Sequence, residues 1–153
     1  MTMLRGDEEG KGRACRDGLE RTVELLVAHG PEEAPLPGAR DIDFGAETQR
    51  VVEELAALSR NVTCRVEVEP PGVERYPAIV VLPEGKDVGI RYYGLPWGYE
   101  FSSLLGAVLE AGKRASSLPA VSLERLAGLH RAPATAVVVP PTQPPSPHAR
   151  LPA

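Results

Sequence analysis

Two thiols are the first place to look for chemistry, and their spacing argues against the usual kinds. Cys15 and Cys64 lie 49 positions apart, which is neither a C-x-x-C redox pair nor a metal-ligand spacing. His29, His130 and His148 show no ligand spacing with one another or with the cysteines, so no metal site is expected. Glu67, Glu69 and Glu74 make an acidic cluster. Nothing around them desolvates a carboxylate, so they read as a solvated loop rather than an acid/base pair. Asp43-Phe44-Gly45 spells a kinase tripeptide, but no other kinase element accompanies it. His29 follows an apolar run and has no nucleophile to activate. Cys64 alternates with valines, which puts it on the buried face of a strand, where a thiol is most often an inert small hydrophobe.

The elements that would position these residues are marked by period and punctuation. Leu19 to Ala28 holds VELLVA, bounded by His29-Gly30-Pro31, and its length and flanks predict a buried strand. Residues 31–45 carry three prolines and two glycines, a long surface loop. Ala46 to Ser59 is predicted helical, with Val51, Val52, Leu55 and Leu58 as its apolar stripe and Asp43 as N-cap. Val62 to Val68 alternates as a strand, with Val62, Cys64, Val66 and Val68 on the inner face. Pro77 opens a continuous apolar run, Ala78-Ile-Val-Val-Leu82, read as a central strand. Glu84 to Asp87 supplies a turn, and Val88 to Tyr93 pairs back. Gly94-Leu-Pro-Trp-Gly98 is a corner. A helix over 99–112 follows, with Phe101, Leu104, Leu105, Val108 and Leu109 on one face and Gly112 at its end. A short helix is expected after Ser122 as N-cap, and a strand start at Ala134 to Val139.

The totals bound the answer. A chain of 153 residues can bury one core. Its 16 prolines are about double the ordinary ~5% share, and they cluster outside the predicted elements. A net charge of −4 gives no electrostatic reason to expect nucleic acid or anionic lipid. No apolar run approaches the ~20 residues of a membrane span, and the charged start, MTMLRGDEEGKGR, lacks the apolar core of a secretory signal. Cytoplasm is the expected compartment.

In order, the elements read β-α-β and then β-β-α. A right-handed crossover makes the first two strands parallel, and the hairpin 78–93 adds two antiparallel ones. The class is α/β: a four-stranded mixed sheet with flanking helices, between termini expected to be disordered. Three segments then carry a family likeness: Glu53-Glu-Leu-Ala-Ala-Leu-Ser59, Arg75-Tyr-Pro-Ala-Ile79, and the long run from Gly85 to Leu104. With them the chain resembles the N-terminal thioredoxin-like unit of the glutaredoxin-like protein disulfide oxidoreductases. It equally resembles the N-terminal domain of the flavoprotein subunit of alkyl hydroperoxide reductase. The absence of a helix between the second and third strands is closer to the flavoprotein domain. A thioredoxin-like domain is expected over 19–115, after a disordered head at 1–18. A linker with a short helix and a vestigial strand is expected over 116–139, then a disordered Pro-rich tail at 140–153.

The resemblance implies a site and its loss. These families carry a second unit whose redox motif reads roughly Pro-Thr-Cys-Pro-x-Cys-Pro. Here Pro141-Thr-Gln-Pro-Pro-Ser-Pro147 puts Gln143 and Ser146 where the cysteines would be. In the first unit the approach to the helix holds Ile42-Asp-Phe-Gly45, again with no cysteine. Thiol–disulfide exchange needs a thiolate and a resolving thiol, so no intact catalytic residue is expected. What the resemblance leaves is a groove, in which the residue before the proline offers its backbone to an extended peptide. Here that residue is Tyr76, and the Tyr76–Pro77 bond is expected to be cis. Trp97 reads either as an exposed contact residue or as packing against helix 99–112.

The function expected is therefore a non-catalytic, partner-binding or dimerisation module of thiol redox, without cofactor. Its partner would be a flavoprotein reductase, a peroxidase or a second copy. The alternatives are monothiol activity through Cys64 or Cys15, or an oxidoreductase whose reading frame is truncated or disrupted.

Overall fold

A computed structural model describes residues 18–31, 43–131 and 134–137, and the backbone alone for Tyr99. The expected head and tail, with Cys15, His148, Gln143 and Ser146, lie outside the described residues. The chain divides into two compact units, Met1–Ala115 and Ser116–Ala153.

The first unit holds β1 (Val23–His29), α1 (Phe44–Ala57), β2 (Val62–Val68), β3 (Ala78–Pro83), β4 (Ile90–Tyr93) and α2 (Tyr99–Ala111). The strands form one sheet in the order β2-β1-β3-β4. β1 runs parallel to β2 and antiparallel to β3, and β3 is antiparallel to β4. This is the expected mixed sheet. β2 and β3 flank β1, so the connection between them crosses two strand spacings, roughly 10 Å. The nine residues Glu69–Pro77 span that without a helix.

β3, and β1 from Leu25 to Ala28, read as unbroken apolar runs because both of their faces are covered. On one face Val23, Leu25, Val27, Ile79 and Val81 meet Val52 and Leu55 of α1 and Leu104, Leu105 and Val108 of α2. On the other, Leu26, Ala28, Ala78, Val80 and Leu82 lie under Val73 and Tyr76 of the Glu69–Pro77 connection. The helix stripes are as the period predicts, with one addition. Thr48 is fully buried, and its hydroxyl donates to the Phe44 carbonyl at 2.7 Å, so the buried polar group is satisfied within its own helix.

The segment just before β1, residues 19–21, is fastened to the end of α2. The Glu20 and Arg21 amides donate to the Gly112 carbonyl at 2.9 and 3.1 Å, and Arg21 Nε donates to the Ala111 carbonyl at 2.7 Å. A cation at carbonyls left open by a helix C-terminus also complements the helix dipole. Asn61 Nδ2 donates to the Leu19 carbonyl at 2.9 Å and holds the same segment from the other side. Gly112 closes α2 in a right-handed conformation, φ −78°, so left-handed freedom does not explain the glycine. A Cβ there would collide with the Leu19 side chain.

Four expectations are corrected. Val66 and Val68 are exposed, at 41% and 68%, because β2 is an edge strand and the helical layer covers only its Val62–Cys64 end. β1 itself begins where the expected VELLVA run does, at Val23, and residues 19–21 before it make the helix-end clamp. β4 begins at Ile90, because Asp87 Oδ1 accepts from the Gly89 amide at 2.8 Å and Gly89 sits at φ 85°, which prolongs the turn. In the second unit, α3 (Ala120–Ala127) has Pro119, not Ser122, at its N-cap. The Ser122 and Leu123 amides donate to the Pro119 carbonyl, and Ser122 is already inside the helix. Residues 134–137 carry no strand, and the rest of that expected strand lies outside the described residues.

Replacing a residue at the junction of sheet and helices tests this packing. Leu105→Ala is expected to lower unfolding free energy by about 2–5 kcal/mol in urea denaturation. Val88→Ala, at a turn position 53% exposed, is expected to change it by less than ~0.5 kcal/mol.

Candidate functional site

One end of the sheet collects most of the residues singled out by sequence. β1 rises to His29, which pairs with Val68 at the end of β2. Ala28 pairs with Ala78, the first residue of β3, and Ala78 pairs with Tyr93, the last residue of β4. His29, Tyr76-Pro77 and the Gly94–Gly98 corner therefore leave the sheet at the same end. α1 starts there too. The site is assembled by topology, from residues far apart in the chain.

The details show close approach. A Cβ on Gly45, in the first turn of α1, would stand 2.7 Å from His29 Nδ1 and 3.2 Å from Asp43 Oδ1. A Cβ on Gly30 would stand 2.8 Å from Tyr76 Cδ2. Both glycines are thus required by contact: Gly45 lets the helix start sit on the imidazole, and Gly30 lets the tyrosine ring lie against the backbone. Gln49 Nε2 donates to Glu53 Oε1 at 2.8 Å, which leaves Gln49 Oε1 as acceptor facing His29 Nε2 at 3.3 Å. That network assigns the His29 proton to Nε2.

The helix start itself is occupied. Asp43 is the N-cap, and its Oδ1 accepts from the Ala46 amide at 2.9 Å. A redox thiolate in this fold would draw stabilisation from such amides and from the helix dipole. Here an Asp carboxylate takes it. Sequence reasoning named Asp43 only as a cap, and it missed Gly30, Gly45 and Gln49. The available signal was two glycines flanking the strand exit and the helix entry.

Tyr76 and Pro77 are half-buried, and the bond between them is cis, as expected. Tyr76 Oη donates to the Val73 carbonyl at 3.0 Å, which fixes the ring over its own loop. The Pro77 carbonyl accepts from the Gly94 amide at 2.7 Å, one step beyond the Ala78–Tyr93 pair. Among the described residues, the Tyr76 backbone makes no hydrogen bond. Trp97 is half-buried and its carbonyl accepts from the Glu100 amide at 3.3 Å at the start of α2. Phe44, the first residue of α1, is 53% exposed, and Tyr93 is 49% exposed. The end of the sheet thus offers aromatic surface at Phe44 and Tyr93.

Cys64 is not part of this place. It pairs with Leu25, four residues back from Val68, or about 13 Å at ~3.3 Å per residue. Burial, reinforced by the nearby Glu53 carboxylate, pushes its thiol above the ordinary range. A raised thiol is a poor nucleophile at neutral pH. The acidic cluster is also plain surface: Glu67 pairs with Arg65, while Glu69 and Glu74 are exposed. Among the described residues no group of His, Cys, Asp and Glu could hold a metal ion. Two surface hollows, one lined by Ala57–Asn61 and one over Leu26, Val80 and Leu82, contain neither Tyr76, Pro77 nor Trp97.

Comparison with known proteins agrees with the resemblance drawn from sequence. No family model matches the chain. It is 25% identical over 127 residues to the alkyl hydroperoxide reductase AhpF of Staphylococcus epidermidis, covering 83% of this chain and 22% of that protein. It is 42% identical over 65 residues to a protein named NADH dehydrogenase of Ferdinandcohnia aciditolerans, covering 42% of this chain and 12% of that one. The chain therefore spans less than a quarter of the length of these relatives. Among solved structures, it superimposes on the alkyl hydroperoxide reductase AhpF of Enterococcus faecalis with a TM-score of 0.68 at 22% identity, covering 84% of this chain and 62% of that one. It matches a protein disulfide oxidoreductase from Aeropyrum pernix with a TM-score of 0.62 at 19% identity, covering 84% and 56%. The fold is thioredoxin-like, and the chain is a module related to these N-terminal units.

Two measurements check the site as described. In a Cys15→Ser chain, iodoacetamide labelling of Cys64 is expected to reach half its maximal rate above the ~8.5 of a free thiol, and a midpoint below ~7.5 would contradict the burial. Asp43→Ala is expected to cost about 1 kcal/mol in thermal or urea unfolding through loss of the cap.

Proposed function

We propose that this chain is a non-catalytic thioredoxin-like module that binds a protein partner of a thiol redox system at the end of the sheet carrying Tyr76, Pro77 and Trp97. The observation that carries the reading is the pairing of a Tyr76 backbone without a hydrogen bond among the described residues with an Asp-capped helix start. The first can receive an extended segment by strand addition, and the second has no thiol to exchange with it. Phe44, Tyr93 and the half-buried Trp97 supply the aromatic contacts on which such interfaces rely. The partner class follows from the relatives: a flavoprotein reductase or a peroxidase of a hydroperoxide-reducing system, met in the cytoplasm. Among the described residues no helix is long and apolar enough to cross a membrane. No cofactor is required for the role.

Insulin reduction with dithiothreitol tests the catalytic half of the proposal. The chain is expected to leave the background rate unchanged, and dithiol-type turnover would overturn it. Binding tests the other half. Titration with the peroxidase and the flavoprotein components of an alkyl hydroperoxide reductase is expected to shift the amide resonances of His29, Tyr76, Ala78 and Trp97 with one of them. Trp97→Ala is expected to weaken that complex roughly tenfold, about 1.4 kcal/mol, with the fold intact by circular dichroism.

A further inference from the structure

We infer that β2 is a self-pairing edge: two copies of the chain join β2 to β2 antiparallel about a two-fold axis at Val66, making one continuous sheet. The inference does not depend on the peptide-binding reading above, which concerns the perpendicular end of the sheet.

β2 is the outer strand beside β1, seven residues long, without Gly or Pro. Such an edge is a template for another strand unless charges or bulges blunt it. Its hydrogen-bonding parity is set at both ends. The Val23 amide donates to the Asn61 carbonyl, and the Glu69 amide donates to the His29 carbonyl, both at 2.8 Å. In a parallel ladder the odd residues of β2 therefore face β1, so the N–H and C=O groups of Cys64, Val66 and Val68 point outward. An axis at Val66 sets Val66 against Val66 and Cys64 against Val68 of the second copy. Every one of these residues has its backbone groups aimed across the junction, and each such pair exchanges two hydrogen bonds.

The side chains select that register. With the axis at Val66, Arg65 lies opposite Glu67 of the second copy, twice over, in the closer non-hydrogen-bonded positions. An axis at Arg65 or at Glu67 would oppose like charges, which destabilises a strand pair. In the single chain Arg65 already bridges Glu24 at 3.0 Å and its own Glu67, so the charges are held on the strand face ready for the exchange. On the opposite face, Val66 and Val68 are the exposed apolar residues that α1 leaves uncovered. The register places each Val68 beside the Cys64 of the other copy, which lies under that copy's helical layer. Charge complementarity and apolar cover thus name the same occupant, a second copy.

The test uses the full chain. Light scattering after size exclusion at about 100 μM is expected to give twice the chain mass, and Val66→Lys is expected to raise the dissociation constant at least tenfold. In a Cys15→Ser, Cys64→Ser background, Val66→Cys is expected to form a disulfide-linked dimer on mild oxidation, because residues opposed across an antiparallel pair stand ~5.5 Å apart at Cα. Thr63→Cys, displaced along the strand, is expected not to. Circular dichroism confirms that each variant is folded. A monomer at about 100 μM overturns the inference, as does a dimer that cross-links through Thr63→Cys and not through Val66→Cys.

Discussion

The structure depends on β1 being covered on both faces and paired on both edges. Seven residues, Val23–His29, bond to β2 on one side and β3 on the other. Val23, Leu25 and Val27 fill the space under α1 and α2, and Leu26 and Ala28 lie under the Glu69–Pro77 connection. Burial of this kind, at roughly 25 cal/mol per Å² of apolar surface, is the main favourable term here. Everything at the site follows from where β1 ends. His29 meets the first turn of α1, Gly30 meets the Tyr76 ring, and the neighbouring strands deliver Pro77 and the Gly94–Gly98 corner to the same level.

At that end of the sheet the first turn of α1 is capped by a carboxylate. A helix N-terminus offers orphan amides and a positive dipole end to whatever anion lies there. In this chain the anion is the carboxylate of Asp43, bonded to Ala46. The thiol that remains among the described residues sits mid-strand on an edge, with its acidity reduced by burial.

Much of this was legible in the sequence, for physical reasons that can be named. The stripes Val51, Val52, Leu55 and Leu104, Leu105, Val108 were readable because each helix has a single buried face with a 3.6-residue period. The central strands were readable because burial on both faces makes them continuously apolar. β2 was misjudged because alternation shows which residues share a face, not whether anything covers it. Val66 and Val68 share the face of Val62 and Cys64, yet lie beyond the helical layer of an edge strand. Ser122 had the chemistry of a cap, but Pro119 had already fixed the backbone three residues earlier. At the site, Tyr76 and Pro77 were legible through their place before an apolar run. The roles of Gly30 and Gly45 were not, since their necessity comes from Tyr76 and His29, which only the fold brings near.

If the sheet end receives a partner segment by strand addition, recognition there is independent of thiol chemistry. The most direct measurement is calorimetric titration of the Cys15→Ser, Cys64→Ser chain with the redox partner identified by titration of the wild type. A dissociation constant within about twofold of the wild-type value is expected, under both oxidising and reducing conditions. Loss of binding in the thiol-free chain, or binding that vanishes with reductant, would contradict it.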